Sequence, residues 1–137
     1  MKILAWFLFV PTFSCAASQS IECPHSLDVS ASATPPNGWT LASTPGGNVL
    51  ERFSVYSGHP SERAALVPDQ AKAANGQSQD QWSFAAGTTE TLWAACHYTG
   101  TSLFIARPLE PGIGSCTAKY KTLRSGARVG LTEIDCH

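Results

Sequence analysis

Glu90-Thr91-Leu92-Trp93-Ala94-Ala95-Cys96-His97-Tyr98 leads into Thr99-Gly100-Thr101 and then into Ser102 to Leu109. Two apolar runs separated by a glycine between threonines, with no helical period in either, read as two strands joined by a short hairpin turn. Upstream, Gln81 to Ala86 reads as another strand, joined through Gly87. Val49 to Tyr56 places Val49, Phe53 and Val55 on one face and Arg52 and Ser54 on the other, the period of a half-buried strand. Ser57-Gly58-His59-Pro60 turns tightly, and Arg63 to Val67 can pair back on the preceding strand.

Further out the same punctuation continues. Leu27 to Ala33 alternates apolar and polar residues, Thr34-Pro35-Pro36-Asn37-Gly38 breaks it, Trp39-Thr40-Leu41 reads as a short strand, and Pro45-Gly46-Gly47-Asn48 turns again. Pro68 to Asp80 is polar with Asn75-Gly76 at its middle and reads as the longest loop, Ala71 to Ala74 adding at most one helical turn. After the turn Glu110-Pro111-Gly112, Cys116 to Lys121 and Ala127 to Ile134 supply two last strands. Short strands at this spacing predict an all-β fold, an antiparallel sandwich or small barrel of eight or nine short strands, tied by disulfides.

The 137 residues are the length of one domain. Hydrophobic residues are 43% and charged residues 14% of the chain, against about 25% charged in soluble domains. That balance excludes a highly charged disordered chain and a coiled coil. A net charge of −1 and a pI near 6.4 argue against a nucleic-acid partner. The charge is uneven: residues 18–106 hold seven acids against three bases, whereas residues 107–137 hold Arg107, Lys119, Lys121, Arg124 and Arg128 against three acids.

Lys2, the apolar run Ile3 to Val10 and the small residues Ser14-Cys15-Ala16-Ala17 have the order of a secretory signal peptide. Ile3 to Phe13 is too short to span a bilayer. Thr12 stands where a lipoprotein signal carries an aliphatic residue three positions before its cysteine. The expected organisation is a signal peptide over 1–17, cleaved after Ala16, Ala17 or Ser18, and a single β-rich periplasmic domain over 18–137 with no membrane span. Cys23, Cys96, Cys116 and Cys136 then remain, an even number that reads as two disulfides. Three pairings are possible. Cys96–Cys116 would close a compact hairpin-like segment and Cys23–Cys136 would tie the ends, and this is the expected pair. No Cys-x-x-Cys or His-x3-His spacing supports a metal site, and none is expected.

No GxSxG, phosphate-binding loop or GxGxxG occurs, and no histidine (25, 59, 97, 137) stands beside a plausible nucleophile. The reading is therefore a non-enzymatic protein without a cofactor. Trp39, Trp82, Trp93, Phe53, Phe84 and Tyr98 lie on or beside strands, where core packing is the usual role. The turns Gly58-His59-Pro60 and Leu66-Val67-Pro68-Asp69 are stiffened by proline, so they lose little entropy on docking into a cleft. Tyr56, His59, Glu62 and Asp69 are the expected partner contacts on these turns; the alternative places the partner on the basic C-terminal third.

Cys23-Pro24, Asn37-Gly38-Trp39, Tyr56-Ser57-Gly58-His59-Pro60, Ala65-Leu66-Val67-Pro68-Asp69, Trp82-Ser83-Phe84 and Leu92 to Thr101, with Cys116 closing the series, stand in an order that resembles a family of small exported bacterial proteins named after an uncharacterised Salmonella Typhi locus. The resemblance runs from Cys23 to about Tyr120. It implies a periplasmic immunity protein that guards against a peptidoglycan-modifying toxin delivered by type VI secretion, of the L,D-transpeptidase-like kind, and it carries over no catalytic residue. The expected partner is then the cognate toxin, with the protein a monomer or weak dimer. Two alternatives stand beside it: an inhibitor of host lysozyme, whose basic surface would meet the acidic 18–106 portion, and a non-enzymatic envelope structural protein.

Overall fold

The computed structural model describes residues 17–30, 33–38, 40–42 and 47–137. Residues 1–16 of the signal-peptide reading, with Cys15, and Trp39 and the first half of the turn at 45–48 lie outside the described residues.

Among the described residues, nine strands form two antiparallel sheets: β1 (Gln19–Ser20), β2 (Ser26–Leu27), β3 (Asn48–Ser57), β4 (Gln70–Ala74), β5 (Gln77–Ser83), β6 (Leu92–Tyr98), β7 (Phe104–Pro108), β8 (Ser115–Thr122) and β9 (Arg128–Cys136). One sheet has the order β1-β9-β8-β5-β4 and the other β2-β3-β6-β7. Alternation decides their inner faces. Phe53 and Val55 of β3 with Leu92 and Ala94 of β6 meet Trp82 of β5, Cys116, Ala118 and Tyr120 of β8, and Ile134 of β9 in one core. The architecture is the expected sandwich. Its only helical element among the described residues is a 3-10 turn at Pro60–Glu62.

The sheets are joined on one flank through side chains. The free edge of β3 is covered: the Phe53 N–H donates to the Tyr120 hydroxyl oxygen at 3.2 Å, the Leu66 N–H to the Val55 carbonyl at 2.8 Å, and the Ser57 N–H to the Ala64 carbonyl at 3.0 Å. The expectation that 63–67 pairs back on β3 is met there, though as a single bridge, Tyr56 with Ala65, rather than a strand. The Trp82 indole N–H donates to the Leu66 carbonyl at 3.1 Å and anchors the same segment to the other sheet.

Several expectations need correction. Pro68 to Asp80 is no loop: Asn75 (φ 52°) and Gly76 (φ 76°) make the two-residue turn of a hairpin, β4 and β5, in unbroken register from Ala74↔Gln77 to Gln70↔Gln81. Positive φ at both turn positions is what Asn-Gly supplies most easily, and it matches the twist of the strands. No helical turn forms at 71–74. Of the strand expected at 27–33, Leu27 ends β2, Asp28 to Ser30 and Ala33 are in no strand, and Ala31 and Ser32 lie outside the described residues, while Thr40 and Leu41 are not in a strand.

The disulfides are Cys23–Cys96 and Cys116–Cys136, not Cys96–Cys116 and Cys23–Cys136. Cys96 and Cys116 stand on strands of different sheets. Cys116 instead faces Cys136 directly across the β8–β9 ladder, 4.1 Å between Cα atoms, flanked by the mutual hydrogen bonds of Ser115 and His137. Such a position, between hydrogen-bonded pairs, brings side chains closest. Cys23 lies in the segment that leaves β1 in one sheet to form β2 in the other, and Cys96 pins that crossing to β6.

Candidate functional site

On β6 the residues alternate Leu92, Ala94 and Cys96 inward, so Trp93, Ala95 and His97 face outward. Their neighbours on β3 are Tyr56, Ser54 and Arg52, and on β7 Pro108, Ala106 and Phe104. This outer face is not a solvated surface. Tyr56 and Phe104 stack at 5.7 Å with ring planes 3° apart, Phe104 and His97 at 4.8 Å, and Ala95 beneath them is fully buried. His97 Nε2 lies 2.7 Å from the Ser54 hydroxyl. Burial and the nearby Arg52 guanidinium lower its pKa to about 4, so the imidazole is neutral at pH 7.

The turn after β3 closes over one side of this cluster. Gly58 (φ 77°) reverses the chain, and a Cβ there would come within 2.8 Å of a Glu62 carboxylate oxygen. His59 caps the 3-10 turn: its Nδ1 accepts the Ser61 N–H at 3.3 Å and lies 2.7 Å from the Ser61 hydroxyl. Its ring packs edge-on against Trp93 at 4.8 Å. Arg63 ends the turn at φ 60°, donating its N–H to the Pro60 carbonyl at 3.1 Å. A residue with a Cβ pays about 1 kcal/mol for that conformation, and here it is an exposed arginine. An open groove results, lined by His59, Ser61 and Arg63 on one side and by Trp93, Phe104 and Ala106 on the other.

Of the four expected contacts, Tyr56, His59 and Glu62 come together at this turn. Tyr56 is buried and supports the groove from beneath, His59 lines it, and the exposed Glu62 folds over Gly58. Asp69 is elsewhere: it stands before β4, and its carboxylate accepts the Ser83 N–H at 2.6 Å. Trp93 and Phe104 were not among the expected contacts. The signal for Trp93 was the alternation through Leu92, Ala94 and Cys96, which leaves it on the opposite face. In the basic C-terminal third, Lys119 pairs with Glu133 at 2.9 Å and Arg128 with Asp80 at 2.6 Å, so two of its cations already have partners.

The described residues contain no group of three His, Cys, Asp or Glu placed to hold a metal ion. A flat aromatic floor with an arginine rim is instead the composition of protein-protein contact centres.

Comparison with known proteins agrees with a binding role. The model of the family described as type VI secretion system Tli immunity proteins matches residues 43–137, from ahead of β3 to the end of β9. The chain belongs to this immunity-protein family. The family match covers the whole aromatic groove. The immunity protein is also similar, at 25% identity over 126 residues, to an uncharacterised 16.3 kDa protein in the trpG 5′ region of Azospirillum brasilense, covering 88% of this chain and 84% of that one. No solved structure matches it. The two disulfides fit an oxidising compartment.

Proposed function

We propose that this chain is an exported periplasmic immunity protein that binds and blocks a type VI toxin acting on peptidoglycan, an L,D-transpeptidase-like enzyme, and that it performs no turnover itself. Membership of the immunity family over residues 43–137 is the observation that carries the reading. The signal-like segment 1–17 and the disulfides support the compartment, and the resemblance drawn from the ordered motifs supports the toxin class. Docking centres on the groove: Trp93 and His59 meet the toxin, Tyr56 holds their platform, and Glu62 and Arg63 supply charge at the rim. Asp69 lies further along the same flank, at the start of β4.

The test mixes residues 18–137 with the type VI effector encoded beside the gene and, separately, with lysozyme. Tight binding to the effector, inhibition of its peptidoglycan activity and rescue of growth on periplasmic co-expression are expected. Trp93→Ala should weaken binding by about thirtyfold, the usual loss of a central aromatic anchor of roughly 2 kcal/mol. Binding to lysozyme but not to the effector would replace this reading with the lysozyme-inhibitor one; binding to neither would leave the structural role.

A further inference from the structure

Sheet edges are where β proteins guard themselves against foreign strands. Here the guards are unevenly placed. β1 and β2 are two residues long, and the rest of the β3 edge is covered by Tyr120, Ala64 and Leu66. β7 pairs through the Leu109 N–H to the Leu92 carbonyl, so alternation turns the main chain of residue 108 outward, and that residue is a proline with no N–H to offer.

β4 has none of these devices. All five residues, Gln70-Ala71-Lys72-Ala73-Ala74, are exposed, and their register on β5 is unbroken. The Thr122 N–H donates to the Gly76 carbonyl and the Phe84 N–H to the Gly114 carbonyl, so even-numbered β5 residues bond on the β8 side and odd-numbered ones on the β4 side. Gln81, Gln79 and Gln77 therefore use up the main-chain groups of Gln70, Lys72 and Ala74. The N–H and C=O groups of Ala71 and Ala73 point to the open edge. Their methyl groups share the inner face with Asp80 and Ser78, which are buried, yet both alanines are exposed. β4 thus overhangs the opposite sheet and leaves room for another strand beside it.

Resting on the immunity reading, we propose that β4 is a second contact for the toxin, which adds one of its own strands antiparallel or parallel to Ala71–Ala73 and places an acidic residue beside Lys72. The cations left for a partner on this face are Lys72, opposite Gln79, and Lys121, opposite Gln77; Lys119, on the far side of Gln79, is already paired with Glu133. A second copy is the poorer occupant. A two-fold antiparallel pairing of all five β4 residues sets Lys72 directly against its own symmetry mate, and like charges in that position repel. Along the chain, only Arg63 to Asp69, with the highly exposed Val67 among them, lie between the His59 turn and β4.

The experiment uses the full 18–137 chain and the type VI effector encoded beside the gene. In the complex, the amide hydrogens of Ala71 and Ala73 should exchange at least tenfold more slowly than in the free protein. Ala71→Pro removes one edge-facing N–H without touching the β5 ladder and should weaken toxin binding by about tenfold or more. Lys72→Glu should weaken it as well. Effector binding with unchanged exchange at Ala71 and Ala73 overturns the edge contact and leaves the immunity reading standing, whether or not the proline variant folds. No effector binding by the wild-type chain overturns both. Loss of a dimer in Ala71→Pro with toxin binding unaffected overturns it in favour of a second copy.

Discussion

Arg128 clasps both carboxylate oxygens of Asp80, at 2.7 and 2.6 Å, from two strands away. To do so it crosses the Tyr120 ring at 4.0 Å, and its Nε–H donates to Ser78 at 2.9 Å. The carboxylate is nearly buried, 10% exposed, whereas the arginine is 36% exposed. Removing the partner of a buried charge costs several kcal/mol, less where water reaches the pair. Arg128→Met should therefore lower stability by about 1–3 kcal/mol. A urea midpoint shifted down at constant slope is the expected observation.

Tyr120 has a second role through its hydroxyl, which receives the Phe53 N–H on the otherwise open side of β3. Tyr120→Phe keeps the ring and its stacking on Arg128 but leaves a buried donor unpaired. A loss of about 1–2 kcal/mol follows. Amide exchange at Phe53 should quicken more than at Ser57, whose N–H donates to the Ala64 carbonyl instead.

His97 makes stability depend on pH. Its folded pKa, about 4, is below the ordinary 6.5 because burial and Arg52 disfavour the cation. Between those values the unfolded chain binds the proton and the folded one does not, so stability is full above pH 6.5 and declines as pH falls toward 4. The decline is at most about 3 kcal/mol. His97→Gln, which can still bond Ser54, should lose less stability between pH 7 and pH 4.5 than the wild type; equal losses would show that other groups govern the window.

Arg63 offers a separation of stability from binding. Glycine adopts φ 60° without the steric cost borne by an arginine. Arg63→Gly should raise the melting temperature, by roughly 1 kcal/mol of stability at most, and at the same time weaken the toxin complex. Arg63→Lys, retaining charge and strain alike, serves as the comparison.

The disulfides should differ toward reductants. Cys116 and Cys136 are fully buried between β8 and β9, whereas Cys23 is only partly buried. Under native conditions a mild thiol should open Cys23–Cys96 first, and alkylation followed by peptide mapping should label Cys23 and Cys96 before the other two.

The strands that carry core residues were legible because alternation and turn residues agree on them. β3, β6, β8 and β9 fall within two residues of the spans that their Phe, Val, Ala, Tyr and Ile positions indicate. β4 reads as loop and β5 is placed four residues late, because Gln70 to Asp80 offers only small alanines among polar residues to mark a face. β4 overhangs the core and needs none, and β5 presents Ser78 and Asp80 inward, satisfied by Arg128. Asn75-Gly76 was the sole local clue. The disulfide pairing required knowing which strands share a sheet, a property of tertiary order that chain distance does not encode. At the groove, the turn at His59 was legible from its Gly and Pro, but Trp93 and Phe104 were not, because an outward aromatic and a core aromatic look alike until the sheet's inner side is known.

Gln19 pairs with Cys136 and Ser20 with Asp135, so the earliest strand described completes its edge only against the last one. Cys116 likewise has no partner until residue 136 exists. Contacts this distant along the chain form slowly. A nascent chain that lacks β9 therefore cannot close the five-stranded sheet, and its first described strand waits unpaired for its last.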